Sequence, residues 1–214
     1  ATAGRSRVNG TQAVNDALTQ WNAGEVYTVA RLSCFRDNTA PYYNNGMALR
    51  RGNGNWRDEL GLRWLSPAED RSQAYIAGLC GELAAMGFDE IVLEQFTFPV
   101  QGKVENITRG DRYDPAAFTA RLEAFLTQVQ AAVEPYGTKI SLRVGSDLLE
   151  NPALSGLTPQ LLEQFSSRFW TDGAGLTALS AMPAVSGVPQ RTVEITAQAA
   201  EDRTLFQAVI PPAQ

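Results

Sequence analysis

A parallel α/β sheet of the (β/α) barrel kind, wound incompletely, is the fold class this sequence predicts, and three observations predict it. Helical stretches alternate with short apolar strands along the chain. The helices open on a polar residue followed by proline, as at Ser66–Pro67, Asp114–Pro115 and Thr158–Pro159, and the first two stop at Gly87 and Gly137. The run Ile91 to Leu93, arriving directly after a helix, reads as a strand buried on both faces. About six strands can be counted, short of the eight that close a barrel. A single domain over residues 1–214 is expected, with residues 1–9, small and polar, loose at its start.

In order along the chain, Ala13, Val14, Ala17, Leu18 and Trp21 recur at helical spacing before Gly24. Val26 to Phe35 reads as a strand, with Val26, Thr28, Ala30, Leu32 and Cys34 on one face and Tyr27, Val29, Arg31, Ser33 and Phe35 on the other. Residues 36–66 make a long connection rich in Asn, Gly, Arg and aromatic residues, a length usually tied to function or to disorder. Ser66 as cap, Pro67 in the first turn and Glu69 completing a capping box predict the next helix, with Tyr75, Ile76, Leu79, Cys80, Leu83 and Met86 as its apolar stripe. After the central strand, Asp114–Pro115 opens a helix whose stripe is Phe118, Leu122, Phe125, Leu126, Val129 and Val133. A strand carrying Ile140, Leu142 and Val144 on one face follows, then a helix from Thr158 to Phe165 and a short strand near Arg168 to Thr171. Asp172 can cap a further helix, and weaker strands fall at Thr192 to Ile195 and Leu205 to Ile210.

Composition narrows the chemistry. Hydrophobic residues make up 44% of the 214 and charged ones 19%, which is a globular balance. No apolar run is long enough to span a bilayer, and the chain opens on Ala1 rather than Met, so a trimmed, extracytoplasmic or secreted product is expected. A net charge of -5 with no basic run argues against a nucleic-acid partner. Cys34 and Cys80 fit neither a zinc pattern nor a disulfide framework and read as buried free thiols. No GxGxxG follows a strand, Gly52 and Gly54 lying instead in the long loop, so no dinucleotide cofactor is expected. The chain has no histidine at all. Ser-His-Asp and Cys-His catalysis and a histidine metal site are thereby excluded. Acid–base work near neutral pH falls to carboxylates, and a pair of carboxylates is what glycosidic cleavage uses.

Strand alternation then selects residues. The aliphatic face of each firm strand should meet the helices, leaving Arg31 and Ser33, then Glu94, then Ser141 and Arg143 on the other. If these strands adjoin in chain order, Glu94 lies between two arginines, a place suited to a nucleophile or electrostatic stabiliser. An ion-pair cluster that merely fills the barrel interior is the competing explanation. A second carboxylate could come from Asp147, Asp172, Glu194 or Asp37, although Asp172 is also a plausible cap and Asp147 a plausible turn residue. Trp56 and Trp64 could stack on sugar rings or simply fold the long loop onto the barrel top.

The segments YTVARLSCFRD (27–37), WRDELGLRWLSP (56–67) and GFDEIVLEQFTFP (87–99) resemble the glycoside-hydrolase-like family known as the DUF4015 domain. The resemblance is strongest over residues 25–145. It implies a TIM-barrel glycosidase scaffold entered at about its third strand, lacking the first two β/α units. Its retained positions are Arg31, Asp37, Trp56, Asp58, Gly61, Trp64 and Pro67. Glu94 and Thr97 stand where the family has an aspartate and an arginine, and Ser66 where it commonly has Asp. The implied activity is cleavage of a carbohydrate by a two-carboxylate mechanism, with Glu94 as nucleophile or base and Asp147 or Asp172 as acid. Arg31, Asp37, Trp56, Trp64 and Arg143 would bind substrate, with no metal and no cofactor. A silent barrel that binds polysaccharide or a protein partner is the alternative, and a carboxylate-bound Mg²⁺ enzyme a third. An open barrel side would invite a second copy of the chain to cover it.

Overall fold

The computed structural model describes residues 12–108, 113–199 and 206–210, so the expectation for residues 1–9 lies outside them. In chain order come α1 (Gln12–Asn22), β1 (Val29–Ser33), α2 (Ala40–Tyr43), β2 (Arg50–Arg51), β3 (Gly54–Asn55), α3 (Asp70–Ala85), β4 (Glu90–Glu94) and α4 (Phe118–Val133). The second half holds β5 (Lys139–Arg143), α5 (Ser146–Glu150), α6 (Pro152–Ser155), α7 (Pro159–Phe165), β6 (Phe169–Thr171), α8 (Gly173–Ser180), α9 (Val188–Arg191), β7 (Thr192–Thr196) and β8 (Phe206–Val209). Six strands form one parallel sheet in the order β1-β4-β5-β6-β7-β8, each beside the next in the chain, and β2 and β3 make a separate hairpin. The sheet curls as a half-barrel, an incomplete (β/α) barrel with its core on the helix side.

The two faces of the sheet follow the period-2 pattern. Ile91, Leu93, Ile140, Leu142 and Phe169 pack with Ile76 and Cys80 of α3 and with Leu122, Phe125 and Val129 of α4. On the concave side Val92, Trp170 and Val193 form a smaller cluster, joined by Val29, Ile195 and Ala208. Every residue of β4 is buried, which its uninterrupted apolar centre foretells. All six stripe residues predicted for α4 are its buried residues. Asp114 accepts from the Ala116 backbone N–H at 3.0 Å and Thr158 from that of Leu161 at 3.3 Å, the caps the sequence suggests. Cys34 and Cys80 are free thiols in the core.

Three elements differ from expectation. The third helix begins at Asp70 with Glu69 as its cap, not at Ser66. Ser66 is drawn off to the loop, since its N–H donates to the Met47 carbonyl at 2.7 Å and its carbonyl accepts from Glu69 at 3.1 Å. The first strand starts at Val29 rather than Val26, because the Thr28 N–H and hydroxyl are both taken by the Asp89 carboxylate, at 2.6 and 3.1 Å. Finally, α1 buries none of its residues, and Trp21 is 77% exposed. Its apolar stripe sits outside the core that the rest of the chain builds.

Candidate active site

Glu94 ends β4 at the C-terminal edge of the sheet, where (β/α) barrels carry their chemistry. The in-register pairing Ser33↔Glu94 and Leu93↔Leu142 puts β1 and β5 on its two sides. Arg31 reaches Oε1 through Nε and Nη2, each at 2.6 Å, and Arg143 reaches Oε2 through Nη1 at 3.2 Å. Both carboxylate oxygens therefore face a guanidinium while the side chain stays only 11% exposed. Such charge-assisted pairing holds a carboxylate in one geometry.

Beyond Glu94 the chain turns sharply. Gln95 has φ of 46°, the left-handed region seldom used by residues with a side chain. The segment after it runs along a cleft of about 430 Å³ at the C-terminal ends of β4 to β7, walled by Trp64, Gln95, Gln101, Arg143, Asp147 and Asp172 among others. Glu94 is not among the residues that wall the cleft, whereas Arg143, paired to its Oε2, is.

Asp147 stands in the first turn of α5, and Gln101 Nε2 donates to its Oδ2 at 2.8 Å. Asp172 also faces the cleft, but its Oδ1 accepts from the Gly175 N–H at 2.9 Å as the cap of α8. Asp37 accepts from the Thr39 and Ala40 N–H groups, at 2.7 and 3.0 Å, so its carboxylate shapes the turn into α2. Glu194 alternates with Val193 and Ile195 on β7; these two pack on the concave side, leaving Glu194 on the opposite face. The lateral distance matters here: neighbouring strands lie about 4.8 Å apart. Asp147 follows the strand next to Glu94, whereas Asp172 follows the one beyond it.

The two tryptophans part company. Trp56 is 1% exposed and donates to the Lys103 carbonyl at 3.0 Å, which pins the long loop. Trp64 packs edge-on against it at 6.2 Å and lines the cleft. The Trp64 indole N–H donates to Asp58, which also takes Arg36 and, through its other oxygen, the Leu60 and Leu62 N–H groups. Burial pushes the Asp58 carboxyl upward, but hydrogen bonds from Trp64, Arg36 and Leu62 outweigh it and hold the group below the usual carboxylate range.

Sequence reasoning did not single out Gln95 or Gln101, nor a second carboxylate inside the half-barrel, Glu90. Glu90 is fully buried and accepts from Tyr27 Oη and Trp170 Nε1, both at 2.9 Å, with Arg168 at 3.5 Å. Burial, then the bond to Glu90, pushes the Tyr27 phenol up to about 12. The alternation Glu90, Val92, Glu94 was the available signal, since it places both acids on one strand face. Four residues of strand separate them by roughly 13 Å, too far for a catalytic pair. Gln101 left no local signal, because its bond to Asp147 crosses 46 residues of chain.

A family model described as "Putative glycosyl hydrolase domain" (DUF4015) matches residues 2–166. Among solved structures, the glycoside hydrolase domain of PelA from Pseudomonas aeruginosa is 16% identical, with 85% of this chain and 71% of that one covered at a TM-score of 0.54. The PgaB (BpsB) glycoside hydrolase domain from Bordetella bronchiseptica is 12% identical, covering 79% of this chain and 60% of that one at 0.54. Aspergillus fumigatus Ega3 in complex with galactosamine is 11% identical, covering 89% and 72% at 0.52. At these identities the likeness is one of fold. No curated protein matches the chain.

Proposed function

The chain belongs to the DUF4015 family of glycosyl hydrolase domains, and on that premise we propose that it cleaves a glycosidic bond in a carbohydrate bound in the cleft above β4 to β7. The observation that carries this reading is Glu94, held by Arg31 and Arg143 at the end of the central strand. Glycosidic cleavage passes through a transition state with positive charge on the sugar ring, and an ionised, fixed carboxylate stabilises it. Asp147 is the partner acid–base group. It follows the strand beside Glu94, and among the described residues its carboxylate takes one side-chain hydrogen bond, from the neutral Gln101 amide. Protonated, it gives its proton to the leaving oxygen as the C–O bond breaks; ionised again, it takes a proton from the incoming water. Asp172 serves less well, since its Oδ1 is taken by the Gly175 N–H as the cap of α8 and it follows a strand one place farther from Glu94. Trp64 supplies an apolar wall for the C–H face of a sugar ring.

Turnover on a panel of glycans, repeated with Glu94→Gln and Asp147→Asn, tests the reading. Loss of turnover in both variants supports it, and persistence of activity in a chelator sets aside a Mg²⁺-dependent route. One observation favours a second reading, a silent barrel that binds polysaccharide: both oxygens of Glu94 are taken by arginine, and Arg143, not Glu94, walls the cleft. Binding without turnover, indifferent to Glu94→Gln, is the result that would select it. The outer strands β1 and β8 each pair on one side within the described residues. A second copy of the chain covering those edges belongs to the same proposal, and light scattering reads it directly.

A further inference from the structure

We propose that Gln95 is a specificity-determining residue of this cleft, its carboxamide hydrogen-bonding a ring hydroxyl of the sugar that lies over Glu94; the inference rests on the carbohydrate reading above. Four observations converge on it. Gln95 is the one non-glycine residue with positive φ among the described residues, at 46°, and it directly follows Glu94. Strained backbone of this kind persists only where the surroundings impose it, and it concentrates at functional sites. Here the flanking bonds impose it: the Cys34 N–H donates to the Glu94 carbonyl at 2.8 Å and the Phe35 N–H to the Gln95 carbonyl at 3.1 Å.

The side chain is anchored as well. The Ser33 hydroxyl lies 3.0 Å from one end of the Gln95 amide. Ser33 has a second partner in the Arg36 carbonyl at 2.9 Å, so it does not depend on Gln95 for satisfaction. The other polar atom of the amide has no partner among the described residues, in a residue that walls the cleft. Glycine would take this backbone conformation without strain, yet it would place nothing in the cleft.

The chemistry of the group fits the role. A carboxamide is neutral, so beside Glu94 it neither repels the carboxylate nor competes with Arg31 and Arg143. It also donates and accepts, which matches a sugar hydroxyl. A site built to hydrogen-bond a hydroxyl discriminates strongly against ligands that lack it.

Gln95→Gly and Gln95→Asn test this, because both residues tolerate positive φ while withdrawing the amide from its position. Thermal melts and binding to neutral, N-acetylated and free amino-sugar oligosaccharides are measured for both variants beside wild type and Glu94→Gln. The expected result is a melting temperature equal to or above wild type, with affinity for the best glycan, or kcat/KM where turnover occurs, lowered about tenfold or more. Unchanged affinity and kcat/KM in both variants, with Glu94→Gln inactive, would overturn the role of Gln95 and leave the hydrolase reading standing. Lost affinity in the Gln95 variants with Glu94→Gln indifferent upholds the role and overturns hydrolysis. Wild type binding and cleaving none of the panel overturns both.

Discussion

The indole N–H of Trp64 donates to Asp58 Oδ2 at 3.0 Å, and the same oxygen takes Arg36 Nε at 2.6 Å. Six residues apart in the chain, Asp58 and Trp64 tie the long loop to the end of β1 and fix one wall of the cleft. Asp58→Asn leaves Arg36 and Trp64 facing an amide, and a cost of about 2–3 kcal/mol is expected. Since Asp58 titrates below its ordinary value in the folded state, its contribution is complete above the unfolded pKa, about 3.9, and is lost as pH falls through the lower folded value. Melting temperature followed from pH 6 downward should thus fall more steeply for wild type than for the variant. Parallel curves would contradict this assignment.

Glu94→Gln removes the negative charge from between Arg31 and Arg143. If the protein is a glycosidase, turnover falls by roughly 10³-fold or more while the fold, read by circular dichroism, is kept. Stability should drop by about 1–3 kcal/mol, because two guanidinium groups then face each other without a counter-charge.

Gly175 is where α8 meets the sheet. A Cβ there would stand 1.9 Å from Thr171 Oγ1 and 3.1 Å from the Val144 carbonyl. Gly175→Ala is expected to cost about 1–3 kcal/mol by overpacking. It also displaces the N–H that Asp172 caps, so a crystal structure of the variant should show α8 shifted away from β6.

Burial pushes the thiols of Cys34 and Cys80 up, the latter to about 12. A thiol reagent such as DTNB should titrate neither in native protein at pH 8 and both in denaturant. Prompt reaction of one equivalent under native conditions would show that this part of the core opens.

Tyr27 ionises late, at about 12, as burial and Glu90 oppose its phenolate. Because its folded pKa lies above the unfolded value of about 10, its contribution is whole below that value and lost as pH rises to the folded one. Ultraviolet difference titration should show tyrosine ionising in that upper window, and Tyr27→Phe should remove one equivalent from it.

What the sequence by itself determined is whatever depends on residues close in the chain. Alternation within β1, β4 and β5 set which side chains face the helices and brought Arg31, Glu94 and Arg143 onto one face. The stripe of α4 and the caps Asp114, Thr158 and Asp172 were equally legible, since each is completed within a few positions. Tertiary structure decided the rest. Ser66 was diverted from capping by Met47, Trp56 was buried by Lys103 while Trp64 reached the cleft, and Asp147 took its hydrogen bond from Gln101. These partners lie 19 to 47 residues apart. Local periodicity fixes the direction of a side chain, whereas the identity of a distant partner depends on how loops of no regular period close over the sheet, and only the assembled fold supplies that.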